Sequence, residues 1–345
     1  MNLEKKIYPF TAIVGQERMK LALILNIINP SLGGVLIRGE KGTAKSTAVR
    51  SLADLLPERT QVKGCKFSCS PEEPEQACDD CYKMMTEGLP FQIAEAKMKV
   101  IDLPISATED RVVGTLDIEQ AIKKGEKKFE CGILAQANRN ILYVDEINLL
   151  DDHVVDILLD SAAMGVNFIE REGISFAHPA KFTLVGTMNP EEGDLRPQLI
   201  DRFGLVVDVI GENETSQRAQ VIRRRLEFER NTDEFVQSYR CEQEKLANII
   251  MKATELLPNV ALDDKLLETA AKISISFGVD GHRADIVMIK TAITIAAYHA
   301  KDFVTKDNLE EAASYVLPHR MRRRPFEDSL LSMDLIEDKI KEIIA

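Results

Sequence analysis

The stretch Gly39-Glu-Lys-Gly-Thr-Ala-Lys-Ser46 decides the fold that this chain is expected to adopt. It matches the phosphate-binding loop pattern G-x4-G-K-[ST], except that Ala44 stands where the second glycine is expected. The short apolar run at residues 35–38 predicts a buried strand before the loop, and a helical pattern follows at residues 48–56. A strand, a glycine-bearing loop and a helix in this order open an α/β nucleotide-binding domain.

The residues of this loop have individual roles that follow from phosphate chemistry. Backbone N–H groups of the loop and of the helix N-terminus can cradle the phosphates, while Lys45 reaches the β- and γ-phosphates and the Ser46 hydroxyl binds Mg²⁺. A glycine turn without a ligand is the alternative, but the Lys-Ser pair and the preceding strand favour a nucleotide site. The expected nucleotide-binding residues are Gly39, Glu40, Lys41, Gly42, Thr43, Ala44, Lys45, Ser46 and Thr47.

Two further strands end in polar side chains. The apolar run at residues 141–144 ends in Asp145 and Glu146. We expect Asp145 to hold the Mg²⁺ through water and Glu146 to orient and polarise the attacking water. A second apolar run ends in Asn189, and in the additional-strand branch of P-loop ATPases such an asparagine aligns the lytic water. An asparagine in a turn before Pro190 is the alternative for this position.

Two arginines are candidates for contact with the γ-phosphate. Arg202 lies in the segment LRPQLIDRFG, and an arginine supplied across a subunit interface can stabilise the transition state of a neighbour's ATP. Its alternative is a pairing with an acid such as Asp201. Arg283 begins a predicted helix further on, and its alternative is a solvent-facing side chain. The basic run at residues 319–324 is expected to be a solvated helix face or to meet an acidic protein surface, rather than nucleic acid.

Four of the six cysteines lie within 17 residues, at Cys65, Cys69, Cys78 and Cys81, with the spacing C-x3-C-x8-C-x2-C. Four thiolates suit a structural Zn²⁺ or an iron–sulfur cluster. Zn²⁺ is the preferred interpretation, because the spacing matches no iron–sulfur motif that we can cite. A redox-sensitive dithiol and a loop of unliganded thiols stay open as alternatives. Five acidic residues within the segment predict that it is exposed.

The overall composition limits the classes of partner. The formal net charge of −12 argues against bulk nucleic acid or an anionic membrane as the main partner. The first residues show no signal-peptide pattern, and the apolar run at residues 21–28 is too short to span a bilayer. We therefore expect a cytoplasmic protein without membrane contact, in which thiols stay reduced and bind metal more readily than they form disulfides.

Taken together, the phosphate-binding loop, the Asp-Glu strand end, TMNP and LIDRFG make the sequence similar to the ATPase subunit (I subunit) of magnesium chelatase, a family of AAA+ ATPases. The resemblance covers nearly the whole chain. It is carried in order by YPFTAIVGQERMKLAL, RVVGTLDIEQAIKKGEKKFECGILAQANRNILYVDE, NLLDDHVVDILLD, GTMNPEEGDLRPQLIDRFGL, GVDGHRADIV and HRMRRRPFED.

The resemblance implies an α/β fold, an AAA+ P-loop ATPase with a parallel-sheet core at residues 1–230 and a smaller all-helical lid domain at residues 245–345. The boundary is expected in a charged, irregular segment within residues 213–245. The first domain should carry a cysteine-rich insertion at residues 64–82, a helix insert at about 105–120 and a hairpin at about 166–177.

The resemblance also implies a function. Such subunits form ATP-dependent rings, usually hexamers, with ATP between neighbours, and drive metal insertion into a tetrapyrrole. Their partners are an integrin-type (von Willebrand A) subunit and a large catalytic subunit. The residues carried over by motif are Lys45, Ser46, Asp145, Glu146, Asn189 (first sensor), Arg202 (finger) and Arg283 (second sensor).

Three points stay open at this stage. The cysteine loop departs from the photosynthetic members, so the inserted metal can be Mg, Co or Ni. A chaperone-like ATPase that assembles metal cofactors in other proteins is the first alternative function. A nucleic-acid remodelling ATPase is the second, against which the acidic charge speaks.

Overall fold

The computed structural model describes residues 6–117, 128–171, 174–321 and 333–344. Its strands are β1 (Val35–Gly39), β2 (Arg59–Val62), β3 (Ile93–Ala96), β4 (Val100–Asp102), β5 (Gly114–Asp117), β6 (Lys128–Cys131), β7 (Ile141–Val144), β8 (Val166–Arg171), β9 (Ile174–Pro179), β10 (Thr183–Met188) and β11 (Leu205–Val209). Its helices are α1 (Glu17–Ile28), α2 (Lys45–Leu55), α3 (Asp79–Thr86), α4 (Glu109–Val113), α5 (Ile133–Ala137), α6 (Asp152–Met164), α7 (Pro197–Ile200), α8 (Thr215–Arg230), α9 (Thr232–Leu256), α10 (Asp264–Ser276), α11 (Arg283–Tyr298), α12 (Lys306–Val316) and α13 (Met333–Ile344).

Among the described residues, a parallel sheet of five strands has the order β11-β1-β10-β7-β4. Because the strands are parallel, their carboxyl ends meet at one edge, which brings together Gly39, Asp145 and Asn189. Side chains alternate between the two faces as the pleat requires. Val35 and Ile37 of β1 join one buried apolar cluster, and Leu36 joins the other. The predicted parallel-sheet core is thus confirmed.

The two faces of the sheet are covered by different elements. One cluster packs α1, α2 and the C-terminal helices against the sheet. The other packs α6, α5 and the hairpins against the opposite face. Strand β11 was not predicted, although Leu205-Val-Val is apolar, because the preceding segment was interpreted only as an arginine motif. The strand completes the edge of the sheet next to β1.

The region expected to be irregular is helical instead, so that prediction is wrong. Helix α9 runs without a break through the charged segment, and the Asn231 side chain caps its start by accepting from the Glu234 N–H. Buried Phe235, Ile250 and Ala253 give the helix an inner face among the charges. Helices α9 to α13 follow as predicted for the C-terminal region. The division into residues 1–230 and 245–345 stays a prediction.

Within the described residues, three small antiparallel strand pairs accompany the five-stranded sheet. Strands β8 and β9 pair from Val166 to Pro179, which confirms the predicted hairpin, although residues 172 and 173 lie outside the described residues. Strands β5 and β6 pair directly after the short helix α4. They form the described part of the predicted helix insert, of which residues 118–120 are not described. Strands β2 and β3 pair around the cysteines.

Within the described residues, no helix is both long enough and apolar enough to cross a membrane.

Candidate active site

The phosphate-binding loop adopts the backbone that its glycines suggest. A Cβ at Gly39 would lie 2.1 Å from the Val209 carbonyl oxygen, so the close pairing of β1 with β11 requires glycine there. Gly42 has φ +86° and Ala44 has φ +60°, both in the left-handed region. Ala44 ends the loop as the cap of α2, and an alanine in this conformation costs about 1 kcal/mol. The departure from the motif is therefore accommodated at a small cost.

A cavity of about 480 Å³ lies between this loop and the carboxyl ends of β7 and β10. Its lining residues are Lys41, Gly42, Thr43, Ala44, Lys45, Ser46, Thr47, Tyr143, Asp145, Glu146, Thr187, Met188 and Asn189. The structure therefore brings most of the predicted nucleotide-binding residues to the same space as Asp145, Glu146 and Asn189.

Lys45 lines the cavity and starts α2. Its Nζ donates to the Gly39 carbonyl oxygen at 2.5 Å and to the Glu40 carbonyl oxygen at 2.9 Å. Burial lowers the pKa of Lys45, and the carboxylates of Asp145 and Glu146 oppose that shift. The ammonium group is thus held within the loop itself, facing the two carboxylates that follow β7.

Asp145 is oriented by two neighbours on the sheet. The Thr187 hydroxyl donates to Asp145 Oδ1 at 2.6 Å, and the Tyr143 hydroxyl donates to the same oxygen at 2.9 Å. Burial, and next the negative charge of Asp145, raise the pKa of Tyr143, so the phenol stays protonated and donates. Thr187 has a second role, because its oxygen accepts the Glu146 N–H at 3.2 Å.

Glu146 stands in the turn after β7, next to Asp145, with φ +54°. Its carboxylate lies 3.3 Å from Lys41 Nζ, which also lies 2.5 Å from the Glu192 carboxylate. Hydrogen bonds from Lys41 to Glu192 and then to Glu146 raise the pKa of this lysine. Lys41 was predicted only as a phosphate-loop residue, and the structure places it also as a link from the loop to the carboxylate of Glu146.

Asn189 directly follows β10, with only 6% of its surface exposed. Its side-chain oxygen accepts the Glu191 N–H at 3.3 Å, which fixes one end of the amide while the residue still lines the cavity. Asn189 therefore both forms the turn before Pro190 and lines the cavity, and its role as the first sensor stays a prediction.

Arg202 is bound to acids of its own chain. Its Nη1 lies 2.8 Å from Asp156 and 2.9 Å from Asp160, one turn apart on α6. These acids, and not Asp201, are its partners. Among the described residues, Arg202 and Arg283 are both absent from the lining of the phosphate cavity.

Asp201 instead connects two arginines of the helical region. Arg283 Nη1 lies 3.1 Å from one of its carboxylate oxygens, and Arg320 Nε lies 3.2 Å from the other. Arg320 also donates to the carbonyl oxygens of Phe203, Gly204 and Val316. The start of α11 and the end of α12 are thereby tied to the segment that carries Arg202.

The interpretation of residues 319–324 as a solvated helix face is wrong for the part that is described. The Arg320 side chain is fully buried against the carbonyl groups between α7 and β11. The His319 ring approaches the Phe203 carbonyl oxygen at 3.3 Å, and burial keeps its pKa well below the ordinary value. Residues 322–324 lie outside the described residues.

The four predicted cysteines come together in space. Their sulfur atoms all lie within 4.8 Å of one another, and Cys69 and Cys81 are each 1% exposed. The predicted exposure of the segment holds for its acidic residues, since Glu72, Glu73, Glu75, Asp79 and Asp80 are exposed. The sulfurs themselves face inward, as a metal site or a small buried core would require.

Comparison with known families identifies the family of this chain. Residues 117–213 match the family described as magnesium chelatase, subunit ChlI, and residues 267–342 match the AAA lid domain family. A magnesium-chelatase subunit ChlI homolog of Methanocaldococcus jannaschii is 57% identical over 99% of this chain and 93% of its own length. This chain belongs to the magnesium chelatase ChlI subunit family.

Other ChlI proteins are similar along nearly their full length. The subunit of Synechocystis is 48% identical over 98% of this chain and 94% of its own, and the chloroplastic subunit of Nicotiana tabacum is 47% identical over 99% and 80%. A cryo-EM-based structure of the complex between BchI and BchD of magnesium chelatase contains a chain 44% identical to this one. It covers 97% of this chain and 99% of its own, with a TM-score of 0.55. The chain is thus a AAA+ ATPase subunit of the magnesium chelatase type.

Two residues of this ChlI-type site were missed from the sequence. Thr187 and Tyr143 orient Asp145, and both lie in segments that carry the family resemblance, but neither was assigned a role from the sequence. The sequence did carry one indication, because a hydroxyl group near the end of a buried strand needs a hydrogen-bond partner. The sequence could not identify that partner, since it depends on which strands are neighbours in the sheet.

Proposed function

We propose that this chain is the ATP-hydrolysing motor of a magnesium-chelatase-type complex and drives metal insertion into a tetrapyrrole through partner subunits. The observation that carries the proposal is the convergence of Lys45, Ser46, Asp145 and Glu146 on one cavity in a chain of the ChlI family. Phosphoryl transfer requires positioning and charge neutralisation rather than covalent chemistry, and these side chains supply both.

The residues fit a nucleotide with Mg²⁺. A hydroxyl from Ser46 and a carboxylate from Asp145 are the oxygen ligands that Mg²⁺ prefers, and both line the cavity. When bound, Mg²⁺ neutralises the charge that develops between the β- and γ-phosphates. Lys45 would contact the β- and γ-phosphates, and Glu146 would orient the attacking water. Asn189 would hold that water from the neighbouring strand.

We assign Arg202 and Arg283 to the ATP of a neighbouring subunit. Neither arginine lines the chain's own cavity, which supports this assignment, and the ion pair of Arg283 with Asp201 holds Arg283 beside the segment that carries Arg202. A homo-oligomeric ring, proposed as a hexamer, would bring this face to the next subunit's phosphates. The BchI–BchD complex concerns a relative, and an integrin-type subunit together with a large catalytic subunit are the partners proposed for this chain.

The assignment of Glu146 is tested by Glu146→Gln in the full chain. We expect ATP binding to be retained and turnover to fall by about a hundredfold or more, because the amide cannot polarise the water. Glu191→Gln is the matched control, since Glu191 is exposed and lies four residues beyond Thr187 in the same region. Turnover at the wild-type rate in Glu146→Gln would remove the water-orienting role.

The partners are tested by affinity purification of the full chain. Recovery of a large catalytic chelatase subunit and an integrin-type subunit supports the tetrapyrrole function. Recovery of a metalloenzyme instead supports the chaperone-like alternative. Added DNA at low salt should leave ATP turnover unchanged, because the net charge of −12 opposes binding to phosphate backbones.

We further propose a cytoplasmic location and metal binding by Cys65, Cys69, Cys78 and Cys81, as Zn²⁺ or as an iron–sulfur cluster. A reducing compartment keeps thiols available as ligands, and the convergence of the four sulfurs supports a shared ligand. Cell fractionation tests the location, and elemental analysis of the purified chain tests the metal.

A further inference from the structure

The four sulfurs are arranged for one ion. A tetrahedral site with Zn–S bonds near 2.3 Å places its sulfurs about 3.8 Å apart. Here Cys65 Sγ and Cys78 Sγ are 3.9 Å apart, and no pair of the four exceeds 4.8 Å. In an iron–sulfur cluster the four thiolates are divided among two or four irons that sulfides bridge, so thiolates on different irons lie further apart. The set therefore fits a single ion better than a cluster.

The backbone around the sulfurs is also built for thiolates. The Phe67 N–H donates to Cys65 Sγ at 3.3 Å, and the Cys78 N–H donates to Cys69 Sγ at 3.2 Å. Cys78 caps the start of α3 and Cys81 lies in its first turn, where the helix dipole favours negative charge. N–H donors to coordinating atoms orient ligands in metal sites. Unliganded thiols in a surface loop would need none of these features.

We infer that the cysteines hold one structural Zn²⁺, and that this ion stabilises the packing of the two hairpins β5–β6 and β8–β9 against the amino end of β7. The first cysteine pair, Cys65 and Cys69, flanks the turn that carries Phe67. This ring stacks on His178 of β9 with centroids 5.0 Å apart and on Phe129 of β6 at 6.3 Å. Phe129 in turn stacks on Phe176 of β9 at 4.5 Å.

The same turn is bonded to the residues that precede β7. Asn138 Nδ2 donates to the Phe67 carbonyl oxygen at 2.7 Å. Arg139 Nη1 donates to the carbonyl oxygens of Thr60 at 2.8 Å and Ser68 at 3.1 Å. These contacts lie at the amino end of β7, whereas Asp145 follows its carboxyl end. Four residues of strand, about 13 Å, separate the two. The ion therefore acts on the hairpins and not on the ATP chemistry.

Metal content and spectrum test the identity of the ion. We expect one zinc per chain in the wild type and in Cys241→Ser, whose exposed thiol lies outside the cluster, and its loss in Cys78→Ser. Replacement by Co²⁺ should give the absorption of a tetrahedral all-thiolate site. Iron with acid-labile sulfide, a disulfide among these cysteines, or metal-free wild type would each overturn the zinc assignment.

Hydrogen exchange tests the bracing role. On removal of zinc from the folded wild type by a chelator, amides of β6, β8 and β9 should exchange about tenfold faster or more, because Phe67 loses its support. Added Zn²⁺ should restore their protection, while the strands β1 and β10 stay unchanged. This reversible experiment replaces Cys78→Ser if that variant does not fold. Equal exchange with and without zinc would overturn the brace.

The zinc site rests on the metal binding proposed for these cysteines, and the ATP assignments do not depend on it. ATP affinity measured on the chelated protein should stay within about twofold of the zinc-loaded value, because the two sites lie at opposite ends of β7. A chain that loses zinc but keeps ATP binding would confirm their independence. Loss of turnover in Glu146→Gln with the zinc retained tests the motor function alone.

Discussion

Thr187→Val removes one hydroxyl that serves two residues of the ATP site. The Thr187 Oγ1 donates to the Asp145 carboxylate at 2.6 Å and accepts the Glu146 N–H at 3.2 Å. Valine has nearly the same shape, so the packing of this 1% exposed side chain is kept while both hydrogen bonds are lost. The variant thus isolates the positioning of the Asp-Glu pair from its packing.

The size of the effect follows from those two bonds. A hydrogen bond to a charged group contributes about 1.5–3 kcal/mol, and an unpartnered buried N–H costs about 1–3 kcal/mol. Asp145 is exposed, so water can replace part of its loss. We therefore expect the free energy of unfolding to fall by about 1–3 kcal/mol. The turnover number should fall about 10- to 100-fold, equivalent to about 1.4–2.8 kcal/mol in the transition state.

The assay is steady-state ATP turnover at saturating Mg²⁺, with ATP affinity measured separately by calorimetry. ATP affinity should change by about threefold or less, because Lys45 and the loop are untouched. Thr187→Ser should restore most of the turnover, since it keeps the hydroxyl. Thr183→Val is the matched control, because Thr183 is also buried in β10 but at the end remote from the cavity.

Two results would refute the positioning role of Thr187. Wild-type turnover in Thr187→Val would show that neither hydrogen bond matters for the reaction. An equal loss in Thr183→Val would show that the packing of β10, and not the hydroxyl, controls activity.

Further substitutions test other features of the chain. Lys41→Ala should lower turnover about two- to fivefold and leave ATP affinity nearly unchanged, because it frees the Glu146 carboxylate; a loss confined to affinity would contradict this role. Ala44→Val should weaken ATP binding about tenfold while Ala44→Gly binds at least as well as wild type, because a β-branched residue resists φ +60°; equal binding by both variants would contradict the strained loop. Burial keeps the pKa of His319 below its ordinary value, so protonation favours the unfolded chain. Stability should therefore be full above about pH 6.5 and fall below it by up to about 1.4 kcal/mol per pH unit. Thermal unfolding of His319→Asn should be less sensitive between pH 7 and 5, and an unaltered pH profile would contradict the assignment.

The nucleotide site was predictable because its signals are local. Residues 39–46 carry their own motif, and Asp145 and Asn189 each follow an apolar run, so strand ends could be identified one at a time. The parallel sheet then places those ends at one edge, which needs no detailed geometry. The cysteine cluster was predictable for the same reason, since four thiols within 17 residues can converge through local turns.

The features that escaped prediction depend on distant residues. Thr187 donates a hydrogen bond to Asp145, 42 positions away, because β10 lies beside β7. The sequence of neither strand indicates that the two strands pair. Arg202 meets acids of α6 instead of the adjacent Asp201. Arg320 can be buried because carbonyl oxygens more than 100 positions away accept the hydrogen bonds of its guanidinium group. A charge pattern shows where arginines cluster but cannot show which carbonyl groups surround them.

The placement of the cysteines at the amino end of β7 has a consequence for how such chains can diverge. Substitutions there are tolerated as long as the hairpins stay ordered. Substitutions at the other end of the strand are tolerated only when ATP turnover is kept. A lineage can therefore replace the metal site by apolar packing beneath Phe67 without compensating changes around Lys45 or Glu146. Strand β7 thus separates the cysteine site from the ATP site. The presence or absence of the thiols therefore reflects the evolutionary history of the fold and not the reaction that the chain drives.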